Sequence, residues 1–258
     1  MTFWGHIDVL RKLLLRMAVV VFAFAVILFI FMPWIFDNFI LAPTHRDFFL
    51  YRLFDNISGG LMPDLFSGNF SIELINIELA SQFFIHMSTS CWLAVVLAFP
   101  FLISMIWGFI SPALYNHEKR GFKRAFAFGN IMFYLGVAVG YSMVFPITMR
   151  FLAEYQISES VPNIISLDSY MDNFIMICLM MGLVFELPLL AWLLGKMGLL
   201  TKSFFTKYRR HAIVILLILA AIITPTGDPF TLSIVFIPIY ALWELSTFLV
   251  PQKQTTEQ

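Results

Sequence analysis

Glu186 is the residue most in need of a chemical reason. It stands in Phe185-Glu186-Leu187-Pro188, in the middle of a long apolar run. A carboxylate at the centre of a membrane span costs about 3 kcal/mol on insertion scales, and such residues usually face a bundle interior or a pathway. Two uses are open: a protonated group hydrogen-bonded within the bundle, or a contact for a polar group of a partner or substrate. Pro188 has no N–H for the carbonyl one turn earlier, so a kink and a polar pocket are expected beside Glu186. Glu118 lies in Ser111-Pro112-Ala113-Leu114-Tyr115-Asn116-His117-Glu118-Lys119-Arg120. It either neutralises its basic neighbours or receives a cation from a ligand. A carboxylate can take a guanidinium bidentately, in a geometry that lysine cannot imitate. Asp228, in Thr224-Pro225-Thr226-Gly227-Asp228-Pro229, fits a turn, and Glu244 marks the end of an apolar segment.

No enzyme is legible. His6, His45, His86, His117 and His211 are scattered, with no two at metal-ligand spacing, so neither metal nor cofactor is expected. Cys91 and Cys178 lie in apolar runs and read as buried thiols. A membrane protease would need a paired nucleophile and base, and Ser88 and His86, two apart on one helix, point to different faces. There is no H-E-x-x-H, G-x-S-x-G or phosphate loop.

These few polar residues are exceptions in a chain whose solvent is mostly lipid. Of 258 residues 60% are hydrophobic and 12% charged, with 16 basic residues balancing 16 acidic ones. An ordinary globular domain is about one quarter charged. The balance excludes a nucleic-acid binder relying on excess positive charge, and two cysteines exclude a disulfide scaffold. A span needs about 20 apolar residues. Candidates run over 17–36, 83–110, 125–152, 170–194, 211–224 and 230–249, with an outer loop at 37–82 and a tail at 251–258. The apolar stretches of the last two, His211 to Thr224 and Phe230 to Trp243, are short. At 1.5 Å per residue each covers about 21 Å of a hydrocarbon layer of about 30 Å. If six spans alternate, thirteen of the sixteen basic residues fall on one side, and only Arg46, Arg52 and Arg150 on the other. By the positive-inside rule both termini are then cytoplasmic. The expectation is an all-α polytopic membrane protein: one six-span domain, N-in and C-in, with short fifth and sixth spans and a helical and irregular outer cap.

Four motifs occur in order: His6-Ile7-Asp8-Val9-Leu10-Arg11 before the first span, the Ser111–Arg120 segment after the second, Phe185-Glu186-Leu187-Pro188 in the fourth, and Thr224–Pro229 between the fifth and sixth. With this topology the chain resembles the TatC family, the multispanning core subunit of the twin-arginine (Sec-independent) protein translocase, from about residue 4 to 250. The resemblance implies binding of the twin-arginine signal peptides of folded cargo proteins. It also implies assembly with TatA/TatB-like single-span partners, further copies of the chain in a larger complex, and export driven by the proton-motive force across a bacterial inner membrane. Membrane lipid is the other partner, and nucleic acid is not one. Glu118 matches the family's signal-binding glutamate and Phe109 the nearby aromatic. Leu10 and Arg11 belong to the first motif, and Pro43, Glu186, Pro188 and Asp228 also fall in the family's motifs or functional positions.

The sequence departs from the pattern at Val9, where the family usually has an acidic residue. Asp8 stands one position earlier, about 100° away on a helix, which leaves Glu118 to carry most of the recognition. The reading from another class is a proton-coupled small-solute transporter with Glu186 as relay, which would favour inverted repeats; the sequence has no repeat.

Overall fold

Apolar runs without water around their backbone must satisfy their own amides, and helices do so locally. The computed structural model of the chain describes residues 3–45, 48–52, 72–110, 116–158, 163–224 and 227–250; for 3–6, 110 and 116–124 it gives the helical backbone alone. The described helices are α1 (Phe3–Ile35), α2 (Ser81–Ile110), α3 (Asn116–Val139), α4 (Phe145–Glu154), α5 (Leu167–Val184), α6 (Leu187–Lys196), α7 (Lys202–Lys207), α8 (Arg209–Ile223) and α9 (Pro229–Leu249). Two π-helical turns, Phe36–Ile40 and Gly140–Val144, continue α1 and α3. The protein is an all-α membrane protein. Five described segments are long and apolar enough to cross a bilayer: Ile7–Thr44, Ser81–Phe109, Ala125–Glu154, Leu167–Lys196 and Pro229–Leu249. Helix α8, 15 residues, is only about 22 Å long. Helix α9 runs on past Glu244 to reach 21 residues, longer than its apolar stretch suggested.

The chain divides into two compact units, Met1–Phe101 with Tyr141–Ile175 and Leu102–Gly140 with Met176–Gln258. In the first, the C-terminal part of α1 is shaped by prolines. Pro43 has no N–H to give the carbonyls before it, and the backbone there tightens into a 3-10 turn, Ala42–Thr44. The Tyr141 hydroxyl donates to Phe39 O at 2.8 Å and the Tyr170 hydroxyl to Ile40 O at 2.5 Å. Tyr170 is fully buried, and Phe145 packs edge-on against it at 5.2 Å and against Phe174 at 5.1 Å. The segments following α1 and α4 are tied by the parallel pairing of β1 (Leu74–Ile75) with β2 (Ile165–Ser166). Beside it the Ser81 hydroxyl donates to the Asp168 carboxylate.

In the second unit, α9 packs against both α6 and α8. Gly227 takes a left-handed φ of +59°, and Asp228 then caps α9, accepting from Thr231 N–H at 2.8 Å with Pro229 opening the helix. At the other end of the α8–α9 pair, Arg209 donates to Glu244 at 2.7 Å and the Tyr240 hydroxyl to its other oxygen at 2.8 Å. Glu244 is therefore a partner in a helix-to-helix contact, beyond marking an end. Phe205 of α7 packs at a tilt against Trp243, ring centroids 4.7 Å apart. Cys178 is buried as expected, but Cys91 is exposed on α2. A helix face turned away from protein can carry a thiol as a small apolar group.

Tyr51 is the polar keystone of the first unit. Its buried hydroxyl donates to Pro43 O at 3.0 Å and reaches Pro146 O at 3.3 Å, while Arg150, ion-paired with Glu154 at 2.9 Å, lies 5.4 Å from the ring centroid. Burial holds this phenol protonated well above its ordinary range, and the Arg150 charge opposes that shift only in part. Removing the hydroxyl leaves two carbonyls poorer by a donor. Tyr51→Phe should lower stability by about 1–3 kcal/mol, read as a lower thermal midpoint of the purified protein in detergent.

Candidate functional site

The apolar stretch from Leu167 to Lys196 is helical at both ends and broken where its polar residue sits. Pro188 occupies the first turn of α6 and can donate nothing to Val184 O. The Glu186 N–H donates three residues back, to Leu183 O at 3.1 Å, and α6 restarts with Leu190 N–H donating to Glu186 O at 2.9 Å. The expected kink is thus an interruption at Phe185–Glu186, and it aims a half-buried carboxyl at α3. The Glu186 Oε1 atom is buried and meets no hydrogen-bonding partner among the described residues.

What it faces is glycine. A Cβ added to Gly129 would stand 2.9 Å from Glu186 Oε2 and 2.5 Å from the end of Leu189. Along α3, Gly136 would meet Met181 O at 2.5 Å, and in the π-turn that continues it Gly140 would meet the Cys178 Cα at 3.1 Å; from the other side Gly182 would meet Val137 at 2.7 Å. The backbones approach closely because these side chains are absent, the arrangement that small residues permit between membrane helices. The carboxyl therefore sits at the end of a tightly packed seam whose geometry the glycines fix. Sequence reasoning missed them, although Gly129, Gly136 and Gly140, seven and four apart, lie on one helical stripe.

The other predicted residues take their places on separate elements. Leu10 and Arg11 are exposed on α1, which is regular from residue 3. Regularity keeps Asp8 about 100° from the direction of Val9. Phe109 is half-buried near the end of α2. Glu118 falls in the first turn of α3, after a segment, 111–115, outside the described residues; its side chain lies outside them as well. Pro43 is buried in the first unit, and Asp228 is spent as a helix cap. Within the second unit, Glu186 and Pro188 form one local feature.

The sequence profile described as "Sec-independent protein translocase protein (TatC)" matches residues 5–238. The chain belongs to the TatC family. A TatC from Blattabacterium sp. subsp. Periplaneta americana is 33% identical over 252 residues, covering 96% of this chain and 94% of that one. The TatC of Koribacter versatilis is 31% identical over 206 residues, covering 78% and 75%. Two crystal structures of a twin-arginine translocase receptor, TatC, superpose with TM-scores of 0.76 and 0.71 at 27% and 26% identity, each covering 95% of this chain. TatC is a component of a protein translocase, so the chain is a membrane transport subunit of the Tat system, and not an enzyme.

The glycine seam yields a graded test. Gly136→Ala sets a methyl group against backbone, which cannot swing aside, and should cost about 1–3 kcal/mol. Gly108→Ala, with nothing within 4 Å of the new Cβ among the described residues, should not lower the thermal midpoint, since alanine favours the helix over glycine by about 0.5–1 kcal/mol.

Proposed function

We propose that this member of the TatC family is the signal-receiving subunit of a twin-arginine translocase in a bacterial inner membrane. It spans the membrane six times with both termini cytoplasmic, the short α8 supplying the fifth span and α9 the sixth. It binds the twin-arginine signal peptides of folded cargo and assembles with TatA/TatB-like single-span proteins and with further copies of itself. Export draws on the proton-motive force. The observation that carries this reading is the likeness to a translocase receptor along nearly the whole chain. The charge asymmetry between successive loops supports the orientation.

Recognition has a physical logic. Arginine stays ionised, so its receptor needs a carboxylate where the ligand keeps part of its hydration. Glu118, between the second apolar segment and the third, is such a group, with Phe109 as an apolar neighbour in sequence and Leu10 and Arg11 contributing from α1. Glu186, with Pro188 breaking its helix, serves a later step: insertion of the signal's apolar stretch, or docking of a partner helix that brings a polar group to the unpartnered oxygen. Pro43 and Asp228 shape the outer side, the first by ending α1 and the second by starting α9.

Glu118→Gln should abolish crosslinking of an arginine-pair signal peptide while membrane insertion of the protein stays intact; normal crosslinking would overturn the assignment. Glu186→Ala should keep that crosslink and lose export, through failed partner assembly or failed deep insertion of the signal. Export at the wild-type rate would show that the carboxyl has no part in transport.

A further inference from the structure

Pro33 lies inside α1, and the carbonyl it leaves without a donor, four residues back, is that of Phe29. A side chain from α2 stands there: His86 Nε2 is 2.8 Å from Phe29 O, and its ring stacks on the Phe29 ring with centroids 4.0 Å apart and planes 16° from parallel. A carbonyl only accepts, so Nε2 must carry the proton. We propose that His86 is a positioning residue: its Nε2–H replaces the amide proton that Pro33 cannot supply, and so fixes the end of α1, from Pro33 through the π-turn to Pro43, against α2.

Two observations give this contact weight. Only 6% of the most apolar stretch of the first segment is buried, so few contacts hold α1 in place. On the far side of Pro33 the space between the two helices is unfilled. A cavity of about 290 Å³ opens there, bounded by Met32, Pro33 and Asp37 from the α1 side and by Gln82, Ile85 and His86 from α2. Met32 and Ile85, both buried, pack beside this cavity, and the imidazole bridge adds a directional contact where that packing is incomplete. Tyr141 and Tyr170 serve the carbonyls before Pro43 in the same manner.

The inference concerns α1 and holds whether or not Glu118 reads the arginines, so its test can fail without touching that reading. In the full-length protein in lipid, with histidine ring nitrogens labelled with 15N, His86 should give the Nε2–H tautomer when neutral. The Nδ1–H tautomer would overturn the proposal with no substitution made. Export then supplies an epistasis test. His86→Phe keeps the stack and removes the donor, and should lower export by about fivefold, a factor comparable to one hydrogen bond, whereas His86→Gln, which keeps a donor, should retain export. Pro33→Ala restores the backbone N–H, and in that background His86→Phe should have no further effect. A loss of the same size in both backgrounds, or none with Pro33 present, would refute the role.

Discussion

A carbonyl inside the hydrocarbon layer cannot turn to water, so each proline placed in this chain's spans creates a debt that another residue must settle. Much of the structure reads as a set of such settlements. Pro33 exposes Phe29 O, which accepts from His86. Pro43 leaves Phe39 O and Ile40 O to the hydroxyls of Tyr141 and Tyr170, and Pro43 and Pro146 themselves turn their carbonyls to Tyr51. At Pro188 the helix stops and restarts, and the break is where the carboxyl of Glu186 is turned onto Gly129. Bends that an all-apolar sequence would not make are thus held by polar side chains from neighbouring segments. One of those bends sets where the carboxyl of Glu186 stands.

The two carboxylates singled out in the sequence, Glu186 by its cost in a span and Glu118 by its motif, differ in how the fold treats them. Glu186 is placed by packing: the glycine seam lets α3 come close, and the proline-broken helix fixes the direction of the side chain. Glu118 is placed by sequence, in the first turn of α3, where a negative charge is also favoured by the helix dipole. A receptor for arginines needs a carboxylate near water, free to pair in two-pronged fashion. A contact buried among helices is served by a carboxyl placed as that of Glu186 is.

The helices, their order and the break at Pro188 were legible because apolar runs and prolines act locally. The extent of α9 was legible too, but the role of Glu244 was not, since its partner Arg209 lies on α8, 35 residues away in sequence. Asp228 fitted a turn from its Gly-Asp-Pro setting, and the structure makes it the cap of the helix that follows. Cys91 was misjudged because an apolar run does not say which face meets protein and which meets lipid. The donors for the orphaned carbonyls were hidden for a different reason. His86 is 57 residues from Phe29, and Tyr170 is 130 from Ile40, and no local pattern links a proline to a donor that far away.

The central claim is that this subunit reads paired arginines. It is tested most directly by purifying the protein from membranes that contain a folded precursor carrying either an arginine pair or the matching lysine pair. Lysine keeps the charge but lacks the planar fork that fits a carboxylate. The account predicts that the arginine precursor co-purifies and the lysine precursor does not. Equal recovery of both, or of neither, would contradict it.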